Sequence, residues 1–171
     1  MSMQAKTLPL VIAITGATGV IYGVEMLRVL KELGQESHLI LSEAAAMNLA
    51  IETEYSLEEV KSLASVVYSN KDVGAAVASG SFRTRGMIVA PCTIKTLSAI
   101  ANSFTYNLVV RAADCGAVIL PPMPAFYHQP QTIMDLIHQS IGKALDQVGV
   151  EHRLFQRWTG HGRQEQPDMA I

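Results

Sequence analysis

The stretch LPLVIAITGATGVIYG, residues 8–23, runs an apolar segment into Gly16, Ala17, Thr18 and Gly19, with Gly23 one turn further on. Small residues between a strand-like run and a helix-like run expose backbone N–H groups, which suits a phosphate at a helix N-terminus. The glycine spacing approaches a dinucleotide fingerprint. The acid expected about 20 residues further on, at the tip of the second strand, is absent; Ser42 stands there, and Glu43 reads as a first-turn helix residue. No Tyr-x-x-x-Lys pair occurs, and 171 residues leave little mass to hold a substrate over a nicotinamide. A mononucleotide fits better. The first turn, Ser42, and the helix start formed by Thr93, Ile94, Lys95 and Thr96 all offer N–H groups or hydroxyls at one sheet edge. Each hydroxyl also has a plainer use as a helix cap.

The elements that must hold these residues follow from the apolar pattern. Residues 10–14, 38–41, 87–90 and 117–120 are continuous apolar runs, the mark of buried parallel strands. A helix from Val20 to Leu33, with Val24, Leu27, Val29, Leu30 and Leu33 on its apolar face, ends at Gly34 as a C′ residue. Ser42 caps an Ala-rich helix to about Ile51, and Ser56 with Glu59 forms a capping box for a short helix toward Ala64. Thr93 opens a helix expected to continue through Leu97 and Ile100 toward Ala113. Ile133, Ile137, Ile141 and Leu145 mark the last long helix. Strands alternating with helices predict an α/β chain, a doubly wound parallel sheet in three αβα layers, Rossmann- or flavodoxin-like, with ligands at the carboxyl ends of the strands. One domain is expected over residues 1–160, followed by a polar tail at 161–171.

Bulk properties exclude several classes. A net charge of −2 with 49% hydrophobic residues gives no basic footprint for nucleic acid or anionic lipid. The longest apolar stretches fall short of the roughly 20 residues a membrane span needs, and no signal-like segment precedes Pro9, so a cytoplasmic protein is expected. Two cysteines and five histidines without ligand spacing predict no metal site and no disulfide framework. Cys92, after Pro91, reads as a packed small residue.

Taken together, GAT at 16–18, SEAA at 42–45, ET at 52–53, ASGS at 78–81, PCTIKT at 91–96, RAAD at 111–114 and PPMPAFY at 121–127 resemble the UbiX/Pad1 flavin prenyltransferases over residues 8–158. The resemblance implies FMN as the flavin and transfer of a dimethylallyl group from dimethylallyl phosphate to its N5 and C6, without a metal. It also implies a homododecamer built from trimers, and a product used by UbiD-type decarboxylases in ubiquinone synthesis or aromatic acid metabolism; such proteins were formerly called aromatic acid decarboxylases. Carried over residue by residue, Gly16, Ala17 and Thr18 would line the flavin, with Ser42, Thr93, Ile94, Lys95 and Thr96 completing its site. Thr18 would lie near the reacting edge. Glu52 would serve in proton transfer, whereas the residues by themselves favour the plainer reading of a solvated acid at a helix end. Arg111 would bring charge to the phosphates, its plainer use being an ion pair with Asp114 at i+3. Tyr127 and Lys143 would bind the prenyl phosphate; Lys143 lies off the apolar face of its helix, so exposure is expected.

One junction departs from the family. Between Asp114 and Cys115 the family carries a further strand and helix, on the order of 30 residues, with a basic Lys-Glu-Arg turn and a Pro-Arg-Glu motif that reach the flavin and the prenyl phosphate. Either the polypeptide retains that unit beyond the sequence as read, or the chain has lost it and with it much flavin affinity and turnover. Two other functions stay open: a related FMN-dependent decarboxylase, and a flavin-carrying subunit without chemistry of its own.

Overall fold

The computed structural model describes residues 8–113, 120, 123, 125–126 and 128–157. Within them four parallel strands, β1 (Leu10–Ile14), β2 (Ser37–Leu41), β3 (Val66–Ser69) and β4 (Gly86–Val89), form one sheet in the order β3-β2-β1-β4. β1 is buried throughout because both its faces are covered. Leu10, Ile12 and Ile14 join one core with helices α1 (Val20–Glu32) and α6 (Ile133–Gln147), while Val11 and Ala13 face a second core with Val77, Leu108 and Val109. That two-sided burial explains the unbroken apolar run and establishes the doubly wound architecture.

The chain passes from β1 to β2 to β3 through α1, α2 (Glu43–Glu52) and α3 (Leu57–Leu63), then returns to the other side of β1 as β4. The order therefore reverses between β1 and β4, the switch point at whose carboxyl ends sheets of this kind bind ligands in a crevice. Residues 37–41 and 86–89 realise two further expected strands. β3 was not expected: it is a four-residue edge strand whose Val66 and Val67 are more than a third exposed, so it lacks the buried run that marks the others. Residues 117–119 of the remaining expected strand lie outside the described residues, as do the junction at Asp114 and Cys115 and the expected tail at 161–171.

α1 ends as anticipated. Gly34 takes φ +67° and donates to the Lys31 carbonyl at 3.1 Å, and Gln35 donates to Leu30 at 2.9 Å, the paired bonds of a Schellman stop. Leu33, expected on the apolar face, is 46% exposed because it already stands at the cap. Ser42 Oγ accepts from the Ala45 amide at 3.1 Å, and Ser56 and Glu59 close the capping box. The single helix expected from Thr93 toward Ala113 is instead two, α4 (Ile94–Ala101) and α5 (Leu108–Ala112). Ser103 adopts φ +52°, and Asn107 caps the second helix by accepting from Val110, so local side-chain bonds outcompete helix continuation. No helix among the described residues is long and apolar enough to cross a membrane.

Candidate functional site

Thr15 ends β1 and joins the two loops of the crevice. Its hydroxyl donates to the Pro91 carbonyl at 2.8 Å and accepts from the Thr93 amide at 2.8 Å, and its own amide donates to Pro91 at 3.2 Å. Ser42 is drawn to the same edge by its amide, which donates to Ile14 at 3.1 Å. Asn48 of α2 reaches the Ala17 carbonyl at 3.2 Å. Gly16 and Gly23 serve close packing: a Cβ on Gly16 would stand 2.3 Å from that of Ala44, and one on Gly23 would stand 2.4 Å from the Ala90 carbonyl oxygen. Gly19, at φ +90°, turns the chain into α1.

Gly19 offers no side chain to cap α1, and a distant carboxylate does so instead. Glu52 Oε2 accepts from the amides of Gly19 at 2.8 Å and Val20 at 3.2 Å. A negative group at a helix N-terminus is favoured by the unpaired N–H groups and the helix dipole. Glu52 is thus fixed beside Thr18, which is exposed, rather than free in solvent at the end of α2. Both bonds fall on one oxygen, leaving Oε1 directed at neither amide.

The start of α4 is built differently. Thr93 Oγ1 accepts from the Thr96 amide at 3.1 Å and donates to the Thr96 hydroxyl at 2.9 Å. The amides of Ile94 and Lys95 have no acceptor within the helix. Lys95 directs its ammonium over the Tyr106 ring, 4.8 Å from the centroid, so its backbone N–H rather than its charge faces the helix start. Cys92 is half-buried beside this turn; burial pushes its thiol up, and Sγ donates to the Thr93 carbonyl at 3.6 Å. A thiol kept protonated is a packing group, not a nucleophile.

The structure brings Gly16, Ala17, Thr18, Ser42, Glu52 and the turn from Thr93 to Thr96 to one edge. Arg111 is exposed in the last turn of α5, and among the described residues no hydrogen bond or ion pair of its side chain joins it to the cluster. Lys143 is half-buried rather than exposed. It stands ten residues into α6, about 15 Å along the axis. The C-terminal end of α6 lies toward the start of β4, where Arg85 Nε donates to the Val148 carbonyl at 3.1 Å. Tyr127 lies outside the described residues. Sequence reasoning missed Thr15 and Asn48, whose bonds cross 78 and 31 positions and leave no local pattern.

A family model described as Flavoprotein matches residues 2–140. The flavin prenyltransferase UbiX of Thauera aromatica is 44% identical, over 91% of this chain and 96% of that protein. The chain belongs to the UbiX family. A crystal structure of AnUbiX (PadA1) in complex with FMN and dimethylallyl pyrophosphate superposes with a TM-score of 0.87 at 38% identity, over 91% of this chain and 99% of that one. A dodecameric FMN-dependent UbiX-like decarboxylase from Escherichia coli O157:H7 gives 0.84 at 37% identity, over 90% and 100%. The Thauera alignment runs over 187 residues, more than the 171 of this chain. The UbiX relative therefore carries residues for which this chain has no counterpart.

Proposed function

We propose that the chain is a flavin prenyltransferase that holds FMN in the crevice between the β1 and β4 loops and transfers a dimethylallyl group to it from dimethylallyl phosphate. Bound reduced FMN supplies the nucleophilic N5 and C6. The residues present suit that group. The α1 amides already hold the Glu52 carboxylate, so the flavin phosphate belongs at the α4 start, on the amides of Ile94 and Lys95 and the hydroxyls of Thr93 and Thr96. Gly16, Ala17 and Ser42 line the ring side, and Thr18 stands at the reacting edge. Glu52, with Oε1 unengaged by the amides, takes up the proton released after carbon–carbon bond formation. Tyr127 and Lys143 act on the prenyl phosphate, where donors stabilise the charge that develops as the allylic C–O bond breaks. Lys143 serves a site completed by a neighbouring copy, in keeping with a homododecamer of trimers. Arg111 contributes charge near the phosphates. The product passes in the cytoplasm to a UbiD-type decarboxylase.

The observation that carries this reading is the carboxylate of Glu52 held on the turn that presents Thr18. Anaerobic incubation with reduced FMN and dimethylallyl phosphate, followed by mass measurement of the released flavin, tests it. A flavin heavier by one prenyl unit is expected; unchanged FMN refutes transferase activity. The second reading, a flavin-carrying subunit without chemistry, is favoured by the residues that the UbiX relative has and this chain lacks. Stoichiometric FMN binding with no mass change in the flavin would select it.

A further inference from the structure

Glu25 is 3% exposed, in the middle of α1. A buried carboxylate must be paired, and this one gathers groups from three elements. Its Oε2 accepts from Arg28 Nε of the same helix at 2.8 Å and is faced by His138 Nε2 of α6 at 3.5 Å. Its Oε1 accepts from the Tyr55 hydroxyl at 3.3 Å, across 30 residues. Burial and the Glu25 carboxylate push the Tyr55 phenol above its ordinary value, which keeps it a donor.

Tyr55 follows Glu52 by three residues. The chain leaves α2 extended at Thr53, with φ −139° and ψ 162°, and bends at Glu54 before reaching Tyr55. Three extended residues span at most about 10 Å, and the five residues from Val20 to Glu25 advance α1 by about 7.5 Å. The strap from Glu52 to Tyr55 therefore lies along α1 and is gripped at both ends: the α1 amides take the Glu52 carboxylate, and Glu25 takes the Tyr55 hydroxyl. Its middle is tied to α2, since Thr53 Oγ1 donates to the Leu49 carbonyl at 2.8 Å and accepts from the Tyr55 amide at 3.3 Å. Of the two Glu52 bonds, the one from Gly19 is exposed and the one from Val20 only partly buried, so water competes for the carboxylate. The buried end supplies what they lack.

We infer that Glu25 and Tyr55 are positioning residues for Glu52, holding its carboxylate on the α1 amides through the strap. The inference rests on the proposed role of Glu52 for its catalytic consequence, but not for its geometric one. The test uses the full chain with Tyr55→Phe, which keeps the ring, and Glu25→Gln. Hydrogen exchange of the Gly19 and Val20 amides is followed by NMR, with the β1 amides as reference, and kcat and KM for FMN are measured in parallel. Both variants should speed exchange at Gly19 and Val20 by about fivefold or more while β1 is unchanged. They should lower kcat about tenfold with KM for FMN held within about twofold. Glu52→Ala sets the ceiling for exchange. If exchange at Gly19 and Val20 stays at the parent rate in the folded Tyr55→Phe variant, the inference is overturned. A uniform rise that includes β1 also overturns it, since the pair would then serve stability alone. Parent-like turnover in Glu52→Ala would reject the role of Glu52 in proton transfer, and the exchange data would still decide the strap.

Discussion

Glu52 carries the proposed proton transfer, and its two amide bonds define what a substitution should do. Glu52→Gln retains a carbonyl for the Gly19 and Val20 amides but cannot take a proton, so kcat should fall by about 100-fold or more while FMN affinity is kept. Comparison of turnover with a flavin-binding titration checks this. Thr93→Ala removes the cap of α4 and should cost about 1 kcal/mol of stability together with a weaker grip on FMN, measured by thermal unfolding with and without the flavin. At this scale legibility divided by sequence distance. The caps at Ser42, Ser56 and Thr93 were readable because each bonds three residues ahead. The second use of Thr15, the seat of Glu52 and the partner of Glu25 were not, because each joins residues 30 or more positions apart.

Between elements, the contact of α1 with the β4 loop is tight enough to reverse a familiar rule. Gly→Ala inside a helix ordinarily stabilises by about 1 kcal/mol. At Gly23 the added methyl would meet the Ala90 carbonyl and Ile14, so Gly23→Ala should instead destabilise by about 1–3 kcal/mol; chemical denaturation reads the sign directly. The C-terminal segment is held to α6 by Asp146, whose carboxylate pairs with Arg157 and with the buried His152. The Arg157 hydrogen bonds, with the His152 charge, hold that carboxyl below its ordinary value. The unfolded chain therefore takes up the proton at higher pH than the native one. The contribution of Asp146 is complete above the ordinary carboxylate value and is lost as pH falls through the depressed one. Melting temperature should drop across that acid window, and Asp146→Asn should flatten the drop. Strands buried on both faces were legible from their runs. β3 was not, because an exposed edge strand of four residues carries no such signature, and the α4–α5 break was hidden by apolar residues on both sides of Asn102 and Ser103.

For the whole molecule, the doubly wound sheet and its switch point between β1 and β4 emerge from local signals alone, whereas the proposed sharing of a site between copies does not. A chain that lacks the family's extra unit should show an intact mass of 18.5 kDa; a polypeptide that retains it would be heavier by a unit on the order of 30 residues, and its prenylation assay would be that of a complete enzyme. The threonine that ends β1 has a consequence for affinity. One hydroxyl ties the turn after β1, the proposed seat of the flavin ring, to the turn before α4, the proposed seat of its phosphate. A ligand that bridges them loses little free energy in ordering them on arrival. Thr15→Val, which keeps shape and removes both bonds, should therefore weaken FMN more than it weakens the bare phosphate.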